Sequence, residues 1–441
     1  MRDLGVLPLH GVGGRSDLPI PFALAVTAGA VALVASFIAL AFLWPTPRLG
    51  RPGAGSVLPR RAAGLYDSAV TQWLVRLLGL GMTGYVLVAA LFGLDDALNP
   101  TAGVVFVLFW VGAVAFASAL LGPVWRWLNP VRTLYLAACA LLRHDHRAGL
   151  LPYPEWLGNF PAAAGIFAFA WLELVAPNRD TLPVLRAWFG AYAALMVMGA
   201  VVYGSRWFDR GDGFQVVSAL YGRLSALGRR EDGTAVLRSP LDGVASTPRV
   251  PGMPALVCVM LGTTAYDGMS NATFWVRFVQ DSPLPQVLLQ TLGLAAGPVL
   301  FGGLYAAAVF AAGRLGGRAF LPAEFAPTIV PIAFGYLLAH YYSFFILAGQ
   351  QTVQQLADPL GTGADFFGLG NRGVSFALVE PTFVSTFQVT VVVLGHVLGV
   401  VLAHDRAVAL FPRRAAVVGQ LPLLALMVAY TVAGLLLLFS G

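Results

Sequence analysis

The sequence predicts an all-α fold, a polytopic membrane bundle of about ten transmembrane helices in a single integral domain over residues 1–441. Three observations predict it: too little charge to wet a surface, apolar runs of membrane-crossing length, and arginines that alternate from one connection to the next. Of the 441 residues, 58% are hydrophobic and only 11% are charged. A globular protein facing water on all sides carries roughly 25% charged residues. Most of this surface therefore has to face hydrocarbon, and the bilayer is the first partner the composition names.

A helix needs roughly 20 apolar residues to cross ~30 Å of hydrocarbon. The first such run, near 20–44, is longer than the core of a cleavable signal peptide, and basic residues follow it, so it reads as a retained span. Further spans fall near 73–94, 101–122, 160–176, 182–204, 253–272, 284–312, 323–349, 383–403 and 415–439. The Gly- and Pro-punctuated stretch 123–142 is too broken for a full crossing and reads as re-entrant or interfacial.

Arginine placement tests that count. Every cation is an arginine, since the chain has no lysine. Arg48, Arg51, Arg60 and Arg61 follow the first span, whereas the next connection offers Asp95 and Asp96. Arg126, Arg132, Arg143 and Arg147 come after the third span, and only Arg179 after the fourth. The segment 205–252 holds seven arginines, from Arg206 to Arg249. Later connections hold Arg277 alone, then Arg314 and Arg318, then Arg372 alone, then Arg406, Arg413 and Arg414. Rich and poor connections alternate as the positive-inside rule demands of ten spans that start outside. This predicts a bacterial plasma-membrane protein with both termini outside. The net charge of +6 then belongs to cytoplasmic connections and carries no nucleic-acid footprint.

Within 205–252, Phe214, Val217, Tyr221, Leu224 and Leu227 recur at helical spacing among arginines, the pattern of an amphipathic helix at the cytoplasmic interface. Residues 350–382 form an outer connection; its Gly361–Gly373 part is glycine-rich without the GK[ST] of a phosphate loop. Trp125-Arg126-Trp127-Leu128-Asn129-Pro130 reads as an aromatic anchor followed by a helix start. His144-Asp145-His146 has the residue types of a metal pair but lies in a hydrophilic basic connection. Cys139 and Cys258 offer neither a CxxC site nor a disulfide framework and read as small buried hydrophobes.

Charged or titratable groups inside spans cost at least ~2.5–3.5 kcal/mol and are functional candidates on that ground. Asp267 heads them: Thr263, Asp267, Ser270 and Asn271 share one helical face, and Gly268 offers a break in the helix. His340 shares a face with Tyr336, Ser343 and Gln350. His396 stands alone among Val392, Gly395 and Gly399, where a bond to a backbone carbonyl explains it. Glu173 and Arg186, on either side of a short turn, are expected to pair with each other or to reach separately for the interface. Asp267 and His340 are the catalytic candidates. Asp267, His340, His396 and Glu173 are the residue types that could hold a divalent metal.

Three stretches, His10-Gly11-Val12-Gly13-Gly14-Arg15-Ser16-Asp17-Leu18-Pro19-Ile20-Pro21, Leu237-Arg238-Ser239-Pro240-Leu241-Asp242-Gly243 and Leu261-Gly262-Thr263-Thr264-Ala265-Tyr266-Asp267-Gly268, resemble a family of actinobacterial membrane proteins labelled fenitrothion hydrolase. The resemblance covers most of the chain and implies hydrolysis of an apolar phosphotriester, with a metal or general base activating water. It carries no catalytic signature to transfer residue by residue. From the residues themselves, a proton- or ion-coupled transporter of small molecules is the alternative, with the same Asp and His as coupling groups. A non-catalytic subunit of a membrane complex is the third reading.

Overall fold

In hydrocarbon a backbone N–H or C=O finds no partner except within its own helix, so each apolar run folds as one. The computed structural model describes residues 14–366, 368–370 and 372–439; residues 10–13 of the first family-like stretch, and 367 and 371 of the glycine-rich loop, lie outside it. The long helices are α1 (Phe22–Leu43), α2 (Ala69–Phe92), α3 (Pro100–Leu121), α4 (Phe160–Leu174) and α5 (Leu182–Tyr203). They continue as α6 (Met253–Ser270), α7 (Gln286–Gly316), α8 (Val330–Gln355), α9 (Pro381–Leu410) and α10 (Leu421–Leu438). Nine of them, counted with the short turns leading into α4, α8 and α10, are long and apolar enough to cross a membrane among the described residues. The chain is a multi-pass helical membrane protein.

Helix α6 is the exception to the nine, because Thr263, Thr264, Asp267 and Ser270 dilute its apolar character. Its position nonetheless makes it a crossing. Asn159 N donates to Pro251 O at 2.7 Å, so α4 and α6 start side by side. At their other ends Glu173 and Asp267 line one cavity. Eleven of its 18 residues are buried, so protein and not lipid surrounds it. Halfway along, α6 meets α7 at a glycine crossing, where a Cβ on Gly297 would lie 2.4 Å from the Gly262 carbonyl oxygen. Only small residues allow helices so close.

Helix α8 packs against α9 and α3, and α1 against α9 and α10. Arg15 Nε donates to Phe439 O at 2.7 Å, and the Phe22 and Phe439 rings stand 5.4 Å apart. Both ends of the described chain therefore lie at the same end of the bundle, which an even number of crossings requires.

Two features depart from the sequence reading. A three-stranded antiparallel sheet joins the first arginine-rich connection to the 205–252 segment. Ser56–Val57 pairs with Ala235–Leu237 (Ser56 opposite Leu237), and Leu227–Arg229 pairs along the other edge. The expected interfacial helix spans only Gly213–Tyr221, and eight of its nine residues are buried. Phe214 stands 4.8 Å from Phe109, 5.0 Å from Phe169 and 5.4 Å from Tyr192, ring to ring. Its apolar residues are thus spent on the bundle core, while Leu224 and Leu227 fall beyond its end. In 123–142 the helix Pro130–Leu141 has 12 residues and reaches about 18 Å, short of a crossing.

Candidate functional site

Asp267 lies on the last turn of α6, where that helix faces α8. The residue is buried, 1% exposed. His340 Nε2 lies 2.9 Å from Asp267 Oδ2, and Tyr341 Oη donates to the same oxygen at 2.7 Å. Consecutive residues of α8 thus converge on one carboxylate oxygen from two directions. Tyr336 stacks parallel to the imidazole with centroids 6.2 Å apart, and Tyr341 stands edge-on to it at 4.8 Å. The ring is held between aromatic neighbours, which fixes its aim.

Beside this cluster opens a cavity of about 240 Å³. Glu173 from α4, Asp267 and Tyr266 from α6, Gln290 from α7 and Tyr341 from α8 line it, with Arg179 from the connection after α4. Phe106 and Phe344 supply apolar wall. Five helices contribute to it, α3, α4, α6, α7 and α8, so relative motion of any of them reshapes the space.

The remaining polar residues of α6 turn back on their own helix. Thr263 Oγ1 donates to Val259 O at 2.8 Å, Ser270 Oγ to Asp267 O at 2.8 Å, and Asn271 Nδ2 to Asp267 O at 3.2 Å. Gly268 does not break the helix, which runs on to Ser270. Ser270 and Asn271 still reach the cavity edge while capping the helix end. Gln350 of the α8 stripe binds the following connection, accepting from Ser375 N and donating to Ser375 O, each at 3.0 Å.

Of the four metal candidates, the structure brings Asp267 and His340 into contact and sets Glu173 on the same cavity. His396 stays apart. Its Nδ1 is 2.8 Å from Val392 O in the preceding turn of α9, the backbone bond expected of it. Among the described residues no group of three or more His, Cys, Asp and Glu side chains is placed to hold a metal ion. The four-residue metal set therefore does not assemble, because α9 directs His396 into its own turn. Arg186 does not pair with Glu173: its Nε donates to Ala90 O at 2.5 Å and so ties α5 to α2. His144 and His146 turn to separate partners, Ala148 O at 3.1 Å and Ser205 Oγ at 3.0 Å. Cys139 and Cys258 are buried free thiols.

Sequence reasoning missed Tyr341, Tyr266, Arg179 and Gln290. The run His340-Tyr341-Tyr342-Ser343 held the signal for Tyr341, but helical spacing alone assigns neighbouring residues to different faces. Asp267 stands between those faces and collects both. The chain matches no protein-family model, no curated protein and no solved structure.

Proposed function

We propose that this protein is a proton-coupled membrane carrier of a small polar molecule, with Asp267, His340 and Tyr341 as its proton-binding group. The observation that carries this reading is a buried carboxylate bonded to an imidazole beside a cavity, on helices enclosed within the bundle. A carboxylate removed from water is tolerated when a proton or a partner cation neutralises it. Here the imidazole at 2.9 Å can hand a proton to the carboxylate or keep it. Intramembrane Asp and His in this relation are the working parts of proton relays. The arginine-rich connections face the cytoplasm on this reading, and the cavity opens on the opposite side.

The hydrolysis implied by the family resemblance needs a water activated by a metal or by a free base. His340 and Tyr341 both engage Asp267 Oδ2, and among the described residues no three His, Cys, Asp or Glu side chains are placed to hold a metal. Transport asks less of the same residues: reversible protonation and a cavity that changes shape.

The test is a pH jump applied to the purified protein reconstituted in a membrane on a solid support. The wild type is expected to give a transient proton current that Asp267→Asn abolishes while the variant's thermal unfolding stays close to wild type. An unaltered current in Asp267→Asn, or none in either protein, removes the carrier reading. Steady release of p-nitrophenol from a chromogenic phosphotriester, lost in the same variant, establishes the hydrolase in its place.

A further inference from the structure

Glu173, an acid, and Arg179, a base, line the same cavity and form no ion pair or hydrogen bond with each other among the described residues. The cavity thus offers both an acid and a base to a ligand bearing both signs. A ligand ammonium beside the Glu173 carboxyl would favour its ionised form. Asp267 is already engaged by His340 and Tyr341. The pair left to a ligand is therefore one carboxylate near the end of α4 and one guanidinium on the connection beyond it.

We infer that the cavity takes a small zwitterion of the amino-acid type with an apolar or aromatic side chain. This names the cargo of the carrier proposed above and rests on that reading for its role. The ammonium goes to Glu173, beside the aromatic faces that favour cations. The carboxylate goes to Arg179, whose planar fork donates two parallel hydrogen bonds to such a group. The side chain lies among Phe106, Tyr266 and Phe344. Size agrees: a cavity of about 150 Å³ accommodates benzene, and this one, at about 240 Å³, admits one ring with a short polar head.

The test measures equilibrium binding by calorimetry to the full chain in lipid nanodiscs, and needs no transport. The probes are L-phenylalanine, 2-phenylethylamine, which lacks the carboxylate, and 3-phenylpropionate, which lacks the ammonium. L-Phenylalanine is expected to bind saturably, with each single-charge analogue at least about tenfold weaker, the equivalent of ~1.4 kcal/mol. Glu173→Gln is expected to erase the preference over 3-phenylpropionate, and Arg179→Gln the preference over 2-phenylethylamine. Binding of the amine as tightly as the amino acid overturns the proposal, as does binding of none of the three. The wild-type ratios decide by themselves, so a variant that fails to fold leaves the test intact. Charge-selective binding without pH-jump currents sinks the carrier and keeps the zwitterion site; currents without such binding do the reverse.

Discussion

Asp212 shows at the level of one side chain how this fold handles charge away from the cavity. It is fully buried at the start of the helix Gly213–Tyr221, accepting from Phe214 N at 3.0 Å and from Asn129 Nδ2 at 2.9 Å. Burial pushes its carboxyl up to about 6, only partly offset by hydrogen bonds that favour the charged form. A carboxyl that holds its proton more tightly in the folded chain adds stability that is complete below its unfolded value, near 4, and lost as pH rises through about 6. At ~1.4 kcal/mol for each tenfold change in proton affinity, that loss is about 3 kcal/mol. Thermal unfolding of the wild type between pH 4.5 and 7 should therefore carry a downward component that Asp212→Asn removes, since Asn keeps the capping oxygen and cannot ionise. An identical pH profile in the variant sinks the assignment. Asp267 sits in a different setting, with His340 and Tyr341 both on one oxygen and a cavity alongside. One carboxylate ties a connection to the bundle, whereas the other lines a cavity.

Among the helices, the crossings hold the site in place through contacts between small residues. Gly335 of α8 meets α9 so closely that a Cβ there would lie 2.6 Å from the Val391 carbonyl oxygen. Gly335→Ala forces backbone apart and should cost about 1–3 kcal/mol. Gly303→Ala on α7 is the control, because nothing lies within 4 Å of its added carbon. There the gain in helix propensity leaves stability unchanged or improved. Thermal unfolding of both variants checks this, and equal effects at the two positions would contradict it. The same crossings show what a sequence can and cannot reveal. Spans were legible because hydrocarbon selects apolar runs, and α6 was legible despite its polar end because the arginine pattern needs a crossing there. Helix ends were less so: α9 continues past 403 because His404 and Asp405 find partners in Gln420, Trp44 and the Arg48 amide. Asp267 and His340 stood out by the cost of their burial. Their meeting with Tyr341, and the isolation of His396, depend on which faces turn toward each other, and apolar periodicity in a bilayer is nearly silent on that. The packing of Gly213–Tyr221 into the core was hidden for a related reason, since an amphipathic pattern fits a protein groove as well as a membrane surface.

Over the whole molecule, the two ends of the bundle are built differently, as the proposed carrier role requires. The cavity beside Asp267 lies at one end. At the other, Glu324 ahead of α8 binds Arg249 ahead of α6, Nε to Oε2 at 3.1 Å, and its Oε2 also accepts from Arg406 near the end of α9. One carboxylate therefore holds three crossings together. Asp405 adds a bond from the Trp44 indole at 2.9 Å, drawing in α1. In the proposed carrier, cargo leaving by this end would part the three crossings against the Glu324 network, which borders a second cavity of about 190 Å³ that Thr328 also lines. Burial and the neighbouring Arg406 both disfavour the charge on Arg249, so removing the shared carboxylate leaves two guanidinium groups in mutual repulsion. Glu324→Gln should shift the population toward a form open at the arginine-rich end and closed around the cavity. Cysteines placed singly at Thr328 and Ser270, in a background with Cys139 and Cys258 replaced by Ala, report on the two ends. With a membrane-impermeant maleimide supplied on both sides, Glu324→Gln should label the buried Thr328 position several-fold faster and the Ser270 position more slowly. Faster labelling at both positions would mean general loosening, and unchanged labelling at both would mean a static tie. Only opposite changes at the two ends fit a bundle that opens one side at a time.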